Sequence, residues 1–282
     1  MNLEKSIVTE ETRDSIERKS IEIPIEFIVR KLHKTFPKIN ADTLTFSGVG
    51  LAVIGSIAAL ENNRKQKTEG KTPSKIVPSV ILSIAHILDL LDGSMARLIA
   101  SEDNTKENFY WGGIYDAVAD RIKETAMTMS RISYARHIGG FKGTIGEIAG
   151  ILSGVTGVLP SIARSICEEK GIKVSETAIG SSATRTILGT LITVFPEIKG
   201  FPIQPFVDLF ITAGSIKTTK DRLSKLRKKT NPNDLLPESK RQQAKARKKT
   251  LIAVAGISLL AISGVTVLNH QIRRDEIIYS KP

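Results

Sequence analysis

The fold is decided by the stretch from Asp89 to Asp120, which reads Asp89-Leu-Leu-Asp92-Gly93-Ser-Met-Ala96-Arg97 and, further along, Gly112-Gly-Ile-Tyr-Asp116-Ala-Val-Ala-Asp120. Its carboxylates form two pairs, spaced i,i+3 and i,i+4, in segments that are otherwise apolar. On a helix each spacing places both side chains on one face, about one turn apart. Four acids that converge at low dielectric repel each other and cannot all stay ionised unaided. Divalent cations would remove the repulsion, since carboxylate oxygens are hard ligands that suit Mg²⁺, Mn²⁺ or Ca²⁺.

The pattern resembles the signature of the CDP-alcohol phosphatidyltransferase family, Asp-x2-Asp-Gly-x2-Ala-Arg followed after a spacer by Gly-x3-Asp-x3-Asp. Every fixed position of that signature is met here. The spacer departs from it, because residues 98–111 separate Arg97 from Gly112 and the family usually has a shorter stretch. The polar residues 101–108 within it are interpreted as an enlarged loop that changes access to the site without removing a ligand.

The resemblance implies a site with two divalent cations, Mg²⁺ or Mn²⁺, held by Asp89, Asp92, Asp116 and Asp120. Such metals would clamp a pyrophosphate and stabilise the leaving phosphate. The resemblance also gives Asp120 a catalytic role, as a ligand of the second metal, as the base that deprotonates the acceptor hydroxyl, or as both. The competing interpretation is a set of acids at helix ends that pair with Arg97, Arg121 and Lys123.

A CDP-activated lipid is the donor that the resemblance implies. Small residues at positions 93 and 96 would let a nucleotide approach the helix backbone, and Arg97 can form charge-assisted bonds to phosphate. Residues 40–45 resemble the short stretch that helps to bind the cytidine nucleotide in the family, although a helix cap explains them without a ligand. The candidate residues for binding the CDP-lipid are Asn40, Asp42, Thr43, Gly93, Ala96 and Arg97.

Basic residues at three other helix ends suggest a phosphorylated acceptor. Arg164 is predicted near the end of the fourth core helix and Arg185 at the start of the fifth. Family members with phosphorylated acceptors carry such residues to hold the acceptor phosphate. The third position is left open among three residues near the end of the sixth helix, namely Lys217, Lys220 and Arg222. Ordinary flanking charge beside a membrane is the alternative explanation.

Composition agrees with a membrane enzyme. The chain has 282 residues, a formal net charge of +12 and a single cysteine, which excludes an intrachain disulfide framework. The charge is concentrated in the first 40 or so residues and in 219–249, whereas long apolar runs fill the rest. Aromatic residues are few and are not interleaved with the basic ones, so cytoplasmic flanks of a membrane protein are favoured over nucleic-acid binding.

Apolar segments predict an all-α integral membrane bundle of six core transmembrane helices, with an N-terminal interfacial helix and an extra C-terminal transmembrane helix. The N-terminal helix is predicted in 23–38, where apolar residues recur at helical spacing among basic ones. The segments lie at about 43–60, 76–99, 110–137, 144–164, 185–198, 203–217 and 250–268. Frequent glycines, for example Gly146, Gly150, Gly154 and Gly157, would let the helices approach closely.

Charge asymmetry predicts the topology. Segment 219–249 carries nine net positive charges and should be cytoplasmic. Counting back through six spans places the acids at a cytoplasmic mouth, although the basic loop 61–75 then lies outside. The predicted regions are a cytoplasmic N-terminal segment at 1–40, a membrane domain at 41–218, a basic cytoplasmic linker at 219–249 and the extra helix with its tail at 250–282.

These features predict a multi-pass membrane enzyme, by resemblance a homodimer, whose active site faces the cytoplasm. It would join a CDP-activated lipid to a soluble polar alcohol, inositol phosphate or glycerol 3-phosphate, with release of CMP. An unphosphorylated acceptor such as serine or inositol is the first alternative. A cation transporter would spread its acids through several helices at mid-bilayer depth. A catalytically silent adaptor would not need the intact aspartates.

Overall fold

The protein, described here by a computed structural model, is almost entirely helical. The structure describes residues 25–68, 75–103, 108–172, 174, 182–198, 200–226 and 236–279. A first helix, α1, covers 25–35. The other elements are α2 (Ala41–Thr68), α3 (Ile76–Asp103), α4 (Asn108–Ile138), α5 (Gly140–Glu169), α6 (Ser182–Val194), β1 (Glu197–Ile198), β2 (Phe201–Pro202), α7 (Gln204–Lys225) and α8 (Glu238–Tyr279). The strands form a two-stranded antiparallel pair. The fold class is therefore as predicted, and each of the seven apolar segments coincides with one of the helices α2 to α8.

Helix α2 lies between α3 and α4 and packs extensively against both. Its glycines allow the close contact with α3, because a Cβ at Gly55 would lie 2.8 Å from Leu82 Cγ and a Cβ at Gly48 would lie 3.3 Å from Ala85 O. The short helix α1 covers one end of this pair through Val29, which is fully buried. Residues 1–24 of the predicted N-terminal segment lie outside the described residues.

Helices α4 and α5 are joined by two glycines in the left-handed region, Gly139 at φ 67° and Gly140 at φ 58°. Both conformations strain any residue with a Cβ. The two helices then run in contact along a row of small residues on α5, as the sequence predicted. A Cβ added at Gly146, Gly150 or Gly154 would lie 2.9 Å from an atom of α4. This contact fixes α4, which carries Asp116 and Asp120, against the helix that carries Arg164.

Helix α8 packs against α4 and α5. It begins at Glu238, inside the predicted basic linker, and continues without a break into the predicted extra helix. The structure gives no test of the predicted regional boundaries. Residues 227–235 of the linker lie outside the described residues, as do residues 280–282 and the side chains of 264–279.

Three helical segments of the described chain are long and apolar enough to cross a membrane: Ala41–Lys65, Ile76–Ile99 and Gly140–Glu169. Their outward faces carry large exposed apolar side chains, for example Ile57, Ile87 and Ile148, each more than half exposed. In a membrane such side chains face lipid rather than water. These features support an integral membrane protein, and the predicted total of six core spans plus one stays a prediction.

Both ends of the predicted loop at 101–108 are helical in the structure. Helix α3 continues to Asp103 and α4 begins at Asn108, so most of the insertion at 98–111 lengthens two helices. The sequence explains this result, because 98–111 contains neither glycine nor proline and so nothing that breaks a helix. Residues 104–107 lie outside the described residues.

Candidate active site

Three of the four signature aspartates meet where α3 passes α4. Asp89, Asp92 and Asp116 each offer a carboxylate oxygen, and these oxygens all lie within 4.8 Å of one another. The spacing i,i+3 brings the first two to the same face of α3, and α4 supplies the third. The donor set consists of hard oxygens, which fits Mg²⁺ or Mn²⁺. The described residues thus provide a candidate metal site, which could hold a divalent cation.

Asp92 is the most buried of these acids, at 6% exposure, and α2 holds it in place. The Thr45 hydroxyl donates a hydrogen bond of 2.6 Å to Asp92 Oδ2. The Thr45 hydroxyl also lies 3.1 Å from the carbonyl oxygen of Ala41, so its single proton lies between two acceptors, of which Asp92 is the nearer. Helix α2 therefore orients one carboxylate of the cluster.

Asp120 lies one helical turn beyond Asp116 and is held by a lysine. The ammonium of Lys123 lies 3.1 Å from Asp120 Oδ1 and also forms an ion pair with Asp89. The Lys123 side chain is only 4% exposed, so it belongs to the site rather than to the surface. Its single positive charge leaves the group of four carboxylates with a net negative charge, which favours the binding of cations.

The residues predicted to bind the CDP-lipid lie at two helix segments beside the acids. Asn40 caps α2, since its Oδ1 accepts hydrogen bonds from the backbone N–H and the hydroxyl of Thr43, at 2.8 and 2.7 Å. Asp42 is exposed in the first turn of the same helix. The structure therefore contains the helix cap that was the alternative explanation of these residues. Nucleotide binding by the same residues stays a prediction.

On α3, the partly buried residues Gly93 and Ala96 follow the first acid pair. The guanidinium of Arg97 is exposed and donates a 2.9 Å bond to the Ser94 hydroxyl. A Cβ at Gly93 would meet Arg97 Nη1 at 3.7 Å, an ordinary contact. The exposed guanidinium therefore lies beside a position without a side chain.

A second polar cluster lies deeper in the bundle, below the acids on α4. Glu124 binds Arg121 through bonds of 2.5 and 3.1 Å and lies 3.3 Å from Arg185 of α6. Arg121 also donates a 3.0 Å bond to the carbonyl of Gly157 on α5. These groups line a cavity of about 30 Å³, enough for ordered water. Arg185 is 5% exposed, so this predicted acceptor residue is buried beside a carboxylate.

The remaining predicted acceptor residues differ in their exposure. Arg164 Nε donates a 2.8 Å bond to Glu168 one turn further along α5. Arg222 of α7 is buried and donates a 2.7 Å bond to the carbonyl of Pro160, so it points at α5 between Gly157 and Arg164. Lys217 and Lys220 are exposed on α7.

Two acids in apolar helices, which had no partner by sequence reasoning, form ion pairs. Glu147 binds Arg136 across the turn between α4 and α5. Asp208 is fully buried, lies 3.2 Å from Arg131 Nε and accepts a 2.7 Å bond from the Ser153 hydroxyl. Both pairs connect different helices of the bundle.

Sequence reasoning did not single out Thr45 or Glu124 as partners of the site residues, whereas Lys123 is one of the basic residues of the competing interpretation and does pair with Asp89 and Asp120. The signal for Glu124 was present, because it lies four residues after Asp120 and so shares its face of α4. The contact between Thr45 and Asp92 carries no such signal, since 47 residues separate the two.

Comparison with known proteins was made at the levels of sequence and structure. No family model and no curated protein sequence matches the chain. The chain is similar in structure to the phosphatidylinositol phosphate synthase PgsA1 of Mycobacterium tuberculosis, whose crystal structure has CDP-DAG bound. The two share 20% sequence identity and a TM-score of 0.51, over 72% of this chain and 92% of the other. That neighbour is a CDP-alcohol phosphatidyltransferase, so the resemblance predicted from the signature is confirmed at the level of the fold.

Proposed function

We propose that this protein is a CDP-alcohol phosphatidyltransferase, which transfers a phosphatidyl group from a CDP-activated lipid to a hydroxyl of a polar alcohol and releases CMP. The observation that carries the proposal is the meeting of Asp89, Asp92 and Asp116, three acids of the family signature, within 4.8 Å. The same fold in a synthase with CDP-DAG bound supports it. Signature residues that meet in space inside the matching fold are stronger support than either finding alone.

Two divalent cations belong to this proposal, with Asp89, Asp92, Asp116 and Asp120 as their ligands. A cation bound there would polarise the phosphorus and stabilise the phosphate that leaves with CMP. The fit rests on the donor set, which consists of carboxylate oxygens, and on its excess negative charge. Gly93, Ala96 and Arg97 next to this group, together with Asn40, Asp42 and Thr43 at the start of α2, would receive the nucleotide.

In the proposed reaction the acceptor hydroxyl attacks the phosphorus that carries the lipid, and the bond between the two phosphates of the donor breaks. The hydroxyl proton passes to Asp120, and CMP leaves. A base needs hydrogen-bond reach to the attacking oxygen and a fixed position. Lys123, 3.1 Å from Asp120 Oδ1, supplies the fixed position.

We assign the acceptor as a phosphorylated polyol, inositol phosphate or glycerol 3-phosphate. Arg164, Arg185 and Arg222 all make contacts on or beside the segment of α5 from Gly157 to Glu168. Several guanidinium groups close to one segment of α5 favour an acceptor that carries a phosphate, because each guanidinium can form bidentate charge-assisted bonds to it. The burial of Arg222 against α5 favours it over Lys217 and Lys220 as the third residue of this group.

The test is an acceptor screen with purified protein, a labelled CDP-lipid and Mg²⁺ or Mn²⁺, in which CMP release is followed. Inositol phosphate and glycerol 3-phosphate are compared with inositol, glycerol and serine. We expect release only with a phosphorylated acceptor and none from Asp116→Asn. Equal use of free inositol or serine would refute the assigned acceptor but keep the enzyme class. Absence of CMP release with every acceptor would refute the class itself.

A further inference from the structure

Helix α8 is tightly integrated into the bundle, although the signature and its helices account for the proposed chemistry without it. Its inward residues recur every three or four positions, the period of one helix face. Within this row Ala244, Leu251 and Ile262 are at most 5% exposed. Deep in the bundle the hydroxyl of Thr125 on α4 donates a 2.9 Å bond to the Ser258 hydroxyl. A helix that is held by such buried contacts can position a side chain at the site accurately enough to recognise a ligand.

Arg247 lies between Ala244 and Leu251 in the same row. Its guanidinium forms an ion pair with Glu168 Oε2 and donates a 3.0 Å bond from Nε to the fully buried hydroxyl of Ser165. The other oxygen of Glu168, Oε1, accepts the 2.8 Å bond from Arg164. One carboxylate therefore bridges two guanidiniums, one from α5 and one from α8.

This bridge lies within electrostatic reach of the acid cluster. Burial lowers the pKa of the Arg247 guanidinium and so does the charge of Arg164, whereas the charges of Glu168 and Asp116 raise it. Asp116 is one of the candidate metal ligands on α4. Arg247 therefore lies near a predicted acceptor residue, with which it shares Glu168, and within electrostatic range of one candidate metal ligand.

We propose that α8 is part of the active site and that Arg247, together with Arg164, binds the phosphate of the acceptor and so determines acceptor specificity. The proposal rests on the proposed function and extends it to a helix outside the signature. A carboxylate that bridges two guanidiniums occupies the position that a phosphate takes between them, and a phosphate offers more oxygens and more charge. Glu168 holds the guanidinium groups of Arg164 and Arg247 in position until the acceptor binds.

The chain provides a matched control on the next residue. Lys248 of α8 forms an ion pair with Glu169 of α5, directly beside the pair of Arg247 with Glu168. Both pairs attach α8 to α5 at the same level, so Lys248→Gln and Arg247→Gln remove the same kind of attachment. A purely structural role of Arg247 predicts equal effects of the two substitutions.

The experiment uses the full-length protein in nanodiscs of neutral phosphatidylcholine, with CMP release measured against acceptor and against CDP-lipid. We expect Arg247→Gln to raise the apparent KM for the phosphorylated acceptor about tenfold, with a small change in the KM for CDP-lipid. Arg247→Lys should restore only part of the affinity, since it lacks the planar fork. Lys248→Gln should leave both KM values within about twofold of the wild type.

A second arm separates an acceptor phosphate from the phosphate of a lipid headgroup. The same variants are measured in nanodiscs that contain anionic phosphatidylglycerol. An effect of Arg247→Gln that arises only in the anionic nanodiscs would overturn the proposal and assign Arg247 to the membrane surface. Equal effects of Arg247→Gln and Lys248→Gln on the acceptor KM would overturn it as well.

Equilibrium binding of glycerol 3-phosphate and of inositol phosphate to the purified proteins tests the site without turnover. We expect at least one of these ligands to bind the wild type and to bind about tenfold more weakly to Arg247→Gln. If the wild type binds in this manner but releases no CMP, the proposed function fails and the anion site stands. If it releases CMP but its acceptor affinity is independent of Arg247, this inference fails and the function stands.

Discussion

The acid cluster of α3 and α4 and the arginine cluster of α5, α6 and α7 differ in how their charges are compensated. In the part of the chain that the structure describes, the acid cluster of Asp89, Asp92, Asp116 and Asp120 is met by the ammonium of Lys123, which pairs with Asp89 and Asp120. Arg185, by contrast, lies beside the carboxylate of Glu124, and Arg164 beside that of Glu168. The first region keeps an excess of negative charge that cations from outside would compensate, whereas the second is compensated in part from within, because each of its carboxylates faces two guanidiniums.

This difference predicts unequal contributions to activity. Loss of an acid removes a ligand that no neighbour replaces. Loss of an arginine removes one of several cations, and a phosphate that enters must first compete with an internal carboxylate. We therefore expect the acids to control the rate of the reaction and the arginines to control the affinity for the acceptor.

The largest effect is expected for the acids. Asp92→Asn should lower CMP release by about a hundredfold or more, because an amide carries no charge and offers a single oxygen. Binding of Mn²⁺, measured by calorimetry, should weaken in parallel, while the fold should persist because repulsion is relieved. Asp89→Asn and Asp116→Asn should behave alike. Glu61→Gln, which alters an exposed ion pair on α2, is the control. Near-normal turnover in two of the three aspartate variants would contradict the assigned site.

The next effect concerns the arginine cluster. Arg185→Ala should raise the apparent KM for the acceptor about tenfold, through loss of charge-assisted bonds. The KM for CDP-lipid should change much less, because the acid cluster holds its phosphates. Both constants are obtained from initial rates of CMP release. Equal increases in the two KM values would contradict the proposal that the acid cluster binds the CDP-lipid and the arginine cluster binds the acceptor.

A smaller effect is expected where α2 supports the acids. Thr45→Val keeps the size of the side chain but removes the 2.6 Å bond to Asp92. Turnover should fall about fivefold, the scale of one hydrogen bond. Ser56→Ala is the matched control on the same helix, because the Ser56 hydroxyl donates its 2.7 Å bond to the carbonyl of Ala52 within α2 and not to an acid of the site. An equal loss in both variants would indicate a general weakening of α2 instead of a role at the metal site.

The smallest effect is expected for the exposed lysines of α7. Lys217→Gln and Lys220→Gln should change the acceptor KM by less than about twofold, because exposed charges are screened by water and salt. Arg222→Gln, at the buried position on the same helix, should raise it about tenfold. The three variants are compared in one series of acceptor titrations. A stronger effect of either lysine than of Arg222 would reassign the third acceptor residue.

The sequence by itself determined the helical class, the positions of helices α2 to α8 and the candidate metal ligands. Apolar runs and helical periodicity are local properties of the sequence, so they can be recognised without knowing which helices pack together. The acid pairs at i,i+3 and i,i+4 likewise define a helix face before any packing is known. The glycine row of α5 follows from the same logic, since only small residues permit backbones to approach so closely.

The tertiary structure alone decided which charges neutralise one another and where α8 lies. Thr45 reaches Asp92 across 47 residues, and Arg247 meets Glu168 across 79, so neither contact could be inferred from spacing. The predicted loop at 101–108 is shorter than its polarity suggested, because the lack of helix breakers allowed α3 to reach Asp103 and α4 to begin at Asn108. Periodicity describes one helix at a time. The docking of α8 onto α4 and α5 depends on the complementarity of faces far apart in the chain, which only the folded molecule brings together.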